Sequence, residues 1–87
     1  MTRPSTPYAP INCEFHDVLE ATATRRRTAS IRFIDGDGVL QQRNARIVAL
    51  YASGGSEYAE LDTGERIRLD HLVAVDGEVL ADYASPP

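Results

Sequence analysis

Four residue groups in this chain have types and spacing that could do chemistry. The first is Cys13, His16 and Asp17. A helix N-terminus favours a thiolate, and Cys13 and His16 stand three apart, close enough to meet on one turn. A single helical turn offers neither an oxyanion hole nor a substrate cleft, so packing is the simpler role for the thiol. The second group is Glu14, Asp17 and Glu20, whose carboxylates fit a solvated face or a surface that meets cations on a partner. The third is D-G-D-G at 35–38, which looks like a fragment of a calcium loop. An EF-hand needs further oxygen ligands, a closing bidentate Glu and flanking helices, so a hairpin turn is expected instead. The fourth is Arg25, Arg26 and Arg27, placed where a helix dipole favours cations. There is no phosphate-binding glycine loop and no dense metal-ligand cluster. One Cys and two His, Cys13, His16 and His71, do not make a zinc site without carboxylates. No metal, no cofactor and no catalysis are expected.

These residues need elements to hold them. Pro10 sets an extended approach, and Asn12 is a good N-cap for a helix starting at 12 or 13 and running to 25. At 100° per residue Phe15, Val18, Leu19, Thr22 and Ala23 share one face, while Glu14, Asp17 and Glu20 gather roughly opposite. From Thr28 the period changes to two, with Ala29, Ile31 and Phe33 on one side of a strand. The segment 39–51 begins polar and ends apolar, as expected of a strand that bends from one layer into another. A-S-G-G-S at 52–56 is a turn, and 57–61 a strand. D-T-G-E at 62–65 is another turn, followed by Ile67 and Leu69 pointing inward, a tight turn at 69–72 and a strand at 73–75. Asp76-Gly77 signals a hairpin returning through 78–83.

The expected fold is α+β and mostly β: one N-terminal helix packed on a small bent antiparallel sheet or barrel of five or six strands, resembling Sm-like and SH3-like barrels. Residues 1–7 read as a flexible arm, 8–83 as one domain and 84–87 as a flexible tail. The chain of 87 residues has room for one small domain. No apolar run approaches the roughly 20 residues that span a bilayer, and no signal-peptide core precedes the domain, so a cytoplasmic protein is expected. Nine basic residues, all Arg, face thirteen acidic ones for a net charge of −4. That balance argues against chain-wide attraction to nucleic acid and favours a basic protein partner.

The arm and helix also carry a resemblance. Y-x-P-I-N-C-E-x-H-D-x-L-E, from Tyr8 to Glu20, resembles the opening signature of the Rof (YaeO) family, small bacterial antiterminators that inhibit the transcription termination factor Rho. I-D-G-D-G and R-L-D-H-L-V extend the likeness more generically. The pattern departs at Phe15 and His16, and 43–56 differs in length and charge. The resemblance implies an Sm-like domain without catalysis that binds the N-terminal RNA-binding domain of Rho and blocks RNA loading; a monomer is expected. By position it implies a contact surface of Glu14, Asp17 and Glu20 with His16 beside them.

One helix of about 12 residues is about 18 Å long, while a standard interface buries about 800 Å² per partner. A neighbouring loop is therefore expected to contribute, first Ala52 to Glu57, with Ser53, Gly54, Gly55, Ser56 and Glu57 as contacts, and second Asp35 to Gly38. The alternative reading is an Sm-like RNA-binding module using the arginines with stacking tyrosines, for which Tyr51, Tyr58 and Tyr83 are available.

Overall fold

The computed structural model describes residues 9–83; the arm expected at 1–7, Tyr8 and the tail at 84–87 lie outside the described residues. The helix α1 spans Cys13–Arg25. Asn12 keeps extended backbone, and its side-chain oxygen accepts the Glu14 N–H at 2.7 Å, the cap expected of a short amide at this position. The Asn12 carbonyl accepts the His16 N–H at 3.0 Å and begins the helical ladder. At the other end Arg26 turns left-handed, with φ 53°, and its N–H donates to the Ala23 carbonyl. Phe15, Leu19 and Thr22 are buried. The Thr22 hydroxyl donates to the Val18 carbonyl at 2.8 Å, so its burial leaves no donor unpaired.

Strand β1, Ala29–Ile34, buries Ala29, Ile31 and Phe33 on the face their alternation indicates. It pairs antiparallel with β2, Leu40–Ala45, from Ile34↔Leu40 to Ala29↔Ala45. The turn between them is built on Asp35, whose carboxylate accepts the N–H groups of Asp37 and Val39 and the Gln41 amide. The D-G-D-G stretch is thus a hairpin turn organised by its own first side chain.

The bend expected within 39–51 falls at Arg46, where β2 ends and β3, Ile47–Ser53, begins in a second sheet. Asp62 fixes this corner with both its side chain and its backbone. The Arg46 N–H donates to the Asp62 carboxylate at 3.1 Å, and the Arg46 carbonyl accepts the Asp62 N–H at 2.9 Å. Strand β4, Ser56–Leu61, returns along β3, and β5, Arg66–Arg68, returns along β4. A 3₁₀ turn at Leu69–His71 carries the chain back to β6, Leu72–Val75, which pairs with β1. Strand β7, Glu78–Val79, closes that sheet. The orders are β2-β1-β6-β7 and β3-β4-β5, both antiparallel.

The described strands number seven, against the five or six expected, because the long segment divides at Arg46. The return strand expected at 78–83 stops at Val79 and gives way to a 3₁₀ turn at Leu80–Tyr83. Packing explains the change. The turn brings Leu80 and Tyr83 back onto the core, and the Tyr83 ring meets Phe15 edge-on at 5.4 Å. Phe15, Leu19, Ile31, Leu61, Leu69 and Val75 form the fully buried centre between helix and sheets. Burying each such side chain contributes about 1.5–3 kcal/mol. The helix lies on β3 and the C-terminal turn, which sets the position of the site.

Candidate functional site

His16 stands on the side of α1 between the buried stripe and solvent, with 28% of its side chain exposed. Its Nδ1 lies 3.1 Å from a Glu20 oxygen, one helical turn on. Its Nε2 lies 3.1 Å from a Glu57 oxygen on β4. The imidazole therefore bridges the helix to the β3–β4 hairpin. Of the residues expected to meet a partner, His16, Glu20 and Glu57 are brought together.

The other acidic positions spread around the helix. Asp17 is exposed, with Glu14 and Glu20 at about 60° to either side of it by helical projection. Glu14 lies toward the opposite flank from Glu57, within electrostatic reach of Tyr83. The Tyr83 hydroxyl is pushed above its ordinary pKa first by its hydrogen bond to Glu78, then by burial and the charge of Glu78, and then by the charge of Glu14. Ser53, Gly54 and Gly55 form the exposed tip of the hairpin, with Ser56 half-buried behind them. Gly54 and Gly55 both have positive φ, 60° and 86°, as a two-residue hairpin turn requires. The helix reaches the hairpin at Glu57 and not at this tip.

Between α1 and β3 runs an open groove of about 660 Å³, lined by His16, Glu20, Thr24, Val48, Tyr51 and Glu57 among others. Val48 is 48% exposed because the β3–β4 register shifts between Ile47 and Ala49. That bulge turns an apolar side chain out of the core. Tyr51 stacks on Tyr58 across the hairpin with centroids 5.7 Å apart. Arg66 of β5 holds its guanidinium 4.7 Å from the Tyr58 ring centre. These aromatic and apolar groups extend the site beyond the residues expected from the acidic pattern. Tyr83 is engaged with Phe15, so the three tyrosines do not form one platform.

Both His16 nitrogens face carboxylates, so the ring is not directed at the exposed thiol of Cys13. They also lie on different edges of the ring, so Glu20 and Glu57 do not converge with them on one point. No cluster of three His, Cys, Asp or Glu among the described residues could hold a metal ion. No helix among them is long and apolar enough to cross a membrane. The chain matches no known protein-family model and no curated protein.

Proposed function

We propose that this protein is a non-catalytic antiterminator that binds the N-terminal RNA-binding domain of transcription termination factor Rho and prevents RNA from loading. The observation that carries this reading is the His16 bridge, which joins the acidic helix to the β3–β4 hairpin. Glu20 and Glu57 flank it and Asp17 lies beside them, giving a contact region wider than one helix face. A protein surface that holds RNA is basic, so an acidic surface can be steered to it and compete for it. The groove beside Val48 and Tyr51 adds apolar and aromatic area, which contact centres commonly require. The arm and helix motif from Tyr8 to Glu20 supports the choice of Rho, and a helix followed by two small antiparallel sheets is compatible with the Sm-like domain that the resemblance implies. The protein acts in this reading as a cytoplasmic monomer.

The test replaces Glu14, Asp17 and Glu20 together by Lys and measures Rho binding and termination in vitro. Loss of inhibition with an unchanged fold is expected. Full inhibition by the folded triple variant would sink the acidic-surface mechanism.

One observation favours a second reading, an Sm-like RNA-binding module. The Tyr51–Tyr58 pair with Arg66 lies across three neighbouring strands, and aromatic–arginine surfaces stack bases. Gel shifts with single-stranded RNA at low salt separate the two. Binding there, abolished by Tyr51→Ala, would favour RNA over Rho.

A further inference from the structure

We infer that the groove between α1 and β3 takes an extended segment of a cationic partner protein as an added strand. The segment pairs antiparallel with the free edge of β3 and carries a basic residue two places before an apolar one. This deepens the contact region proposed above and rests on that reading for the identity of the partner, though not for the groove itself.

Strand β3 stands at the edge of its sheet, β3-β4-β5, and no strand among the described residues pairs with its other side. The hairpin register tells which backbone groups face that side. Ser53↔Ser56 closes the two-residue turn at Gly54 and Gly55 and so exchanges hydrogen bonds, and by alternation Tyr51↔Tyr58 is the next bonded pair. Leu50 and Ala52 occupy the alternate positions. Their N–H and C=O groups therefore point away from β4. On that side Val48 to Ala52 form one wall of the groove, and α1 forms the other with His16, Glu20, Ala23 and Arg26 among its residues. An open row of edge amides and carbonyls is what an added strand completes, and the pockets beside it choose every second side chain.

The inner face of β4 buries Ala59 and Leu61, and Glu57 shares that face and reaches His16. Ala52 lies opposite Glu57. The inward guest residue beside Ala52 thus meets Glu57 and Glu20, which remain 40% and 58% exposed, and a Lys or Arg complements them. The next inward guest residue lies beside Leu50 and toward Ala23, both packed against the core, and an apolar side chain suits it. Arg26 lines the same groove from the end of the helix and disfavours a run of basic residues. Every described strand pair is antiparallel, and an antiparallel guest meets Ala52 before Leu50, which sets the order basic-x-apolar.

The probe is the end-blocked peptide T-K-T-V-T at millimolar concentration, added to the full chain and read by amide NMR. Hydrogen exchange at the Leu50 and Ala52 N–H groups should slow about fivefold, while Tyr51, already paired with β4, stays as it was. Replacing the peptide's lysine by glutamate should weaken binding about fivefold. Ala52→Pro removes one groove-facing N–H without touching the β3–β4 bonds, as proline on a free edge does. It should bind the peptide about tenfold more weakly, the worth of one backbone hydrogen bond. Ala52→Thr keeps that N–H and should bind as the unmutated chain does. No slowing at either amide overturns the proposal, and this measurement decides alone if Ala52→Pro fails to fold. A folded Ala52→Pro variant that binds the peptide undiminished also overturns it. So does sedimentation of the chain alone as a dimer that Ala52→Pro dissolves, which would assign the edge to a second copy. The Rho N-terminal domain, tested with the same variants, separates the two readings. Peptide binding without Rho binding would remove the partner and keep the groove. Rho binding that Ala52→Pro leaves unchanged would keep the partner and overturn strand addition.

Discussion

Glu57 on β4 places a carboxylate oxygen 3.1 Å from Nε2 of His16 on α1, although the two residues stand 41 positions apart. This contact joins the helix and the β3–β4 hairpin into one continuous surface. It also divides the acidic residues of the helix into those at the seam and those away from it.

Charge reversal should follow that division. On the proposed function, Glu57→Lys or Glu20→Lys is expected to weaken binding to the Rho N-terminal domain about tenfold, or about 1.4 kcal/mol. Glu14→Lys, on the flank toward Tyr83, should cost less. Titration calorimetry of the three variants gives the order, and equal losses would remove the seam as the centre of contact. Added salt should shrink all three effects, because exposed charges are screened.

Phe15 anchors the helix to the C-terminal turn through Tyr83 as well as to the core. Phe15→Ala leaves a cavity at a fully buried position and should destabilise the domain by about 3–5 kcal/mol. Urea unfolding measures this. A loss below about 1 kcal/mol would mean that the helix is not fastened where the structure has it.

Asp70 ties the approach to the helix onto the turn after β5. Its carboxylate accepts the Ala9 N–H at 3.0 Å and two Arg68 nitrogens at 2.6 and 2.8 Å. Burial pushes its carboxyl up, but the Arg68 and Ala9 hydrogen bonds and the charges of Arg68 and His71 outweigh burial and hold it below the ordinary aspartate value. The folded pKa is therefore below the unfolded one. Its contribution is complete above an unfolded value of about 3.9 and is lost as pH falls through the folded value. Asp70→Asn should be less stable than the unmutated protein by about 1–2 kcal/mol at pH 7, a gap that closes in acid below about pH 4. Parallel pH–stability curves would contradict this.

Gly55 holds the hairpin tip with φ at 86°. A β-branched side chain is strained there, so Gly55→Val should cost about 1–2 kcal/mol. It should also disturb the stacked Tyr51–Tyr58 pair, which thermal melts and tyrosine ring shifts can report together.

Much of this arrangement is local and is written in the order of residues. The Asn12 cap and the spacing of Phe15, Leu19 and Thr22 specify the helix and its buried face. The alternation of Ala29, Ile31 and Phe33 specifies β1, and D-G-D-G carries its own turn through the Asp35 carboxylate. Gly54-Gly55, taken as a two-residue turn, even sets Ala52 opposite Glu57 and Tyr51 opposite Tyr58, because pairing counts outward evenly from the turn. The tyrosine pair was therefore within reach of that count. Other features depend on where separate segments finally lie. The corner at Arg46 needs the carboxylate and the backbone of Asp62, and the outward turn of Val48 needs a register shift against β4. Tyr83 leaves the extended form and is held by the Phe15 ring and by its hydroxyl's hydrogen bond to Glu78, contacts that neighbouring residues do not announce. The sequence by itself determined the helix and the hairpins. Only the tertiary structure decided that Glu57, and not Glu14, shares a surface with His16, because the packing of α1 on β3 sets the distance between helix and hairpin.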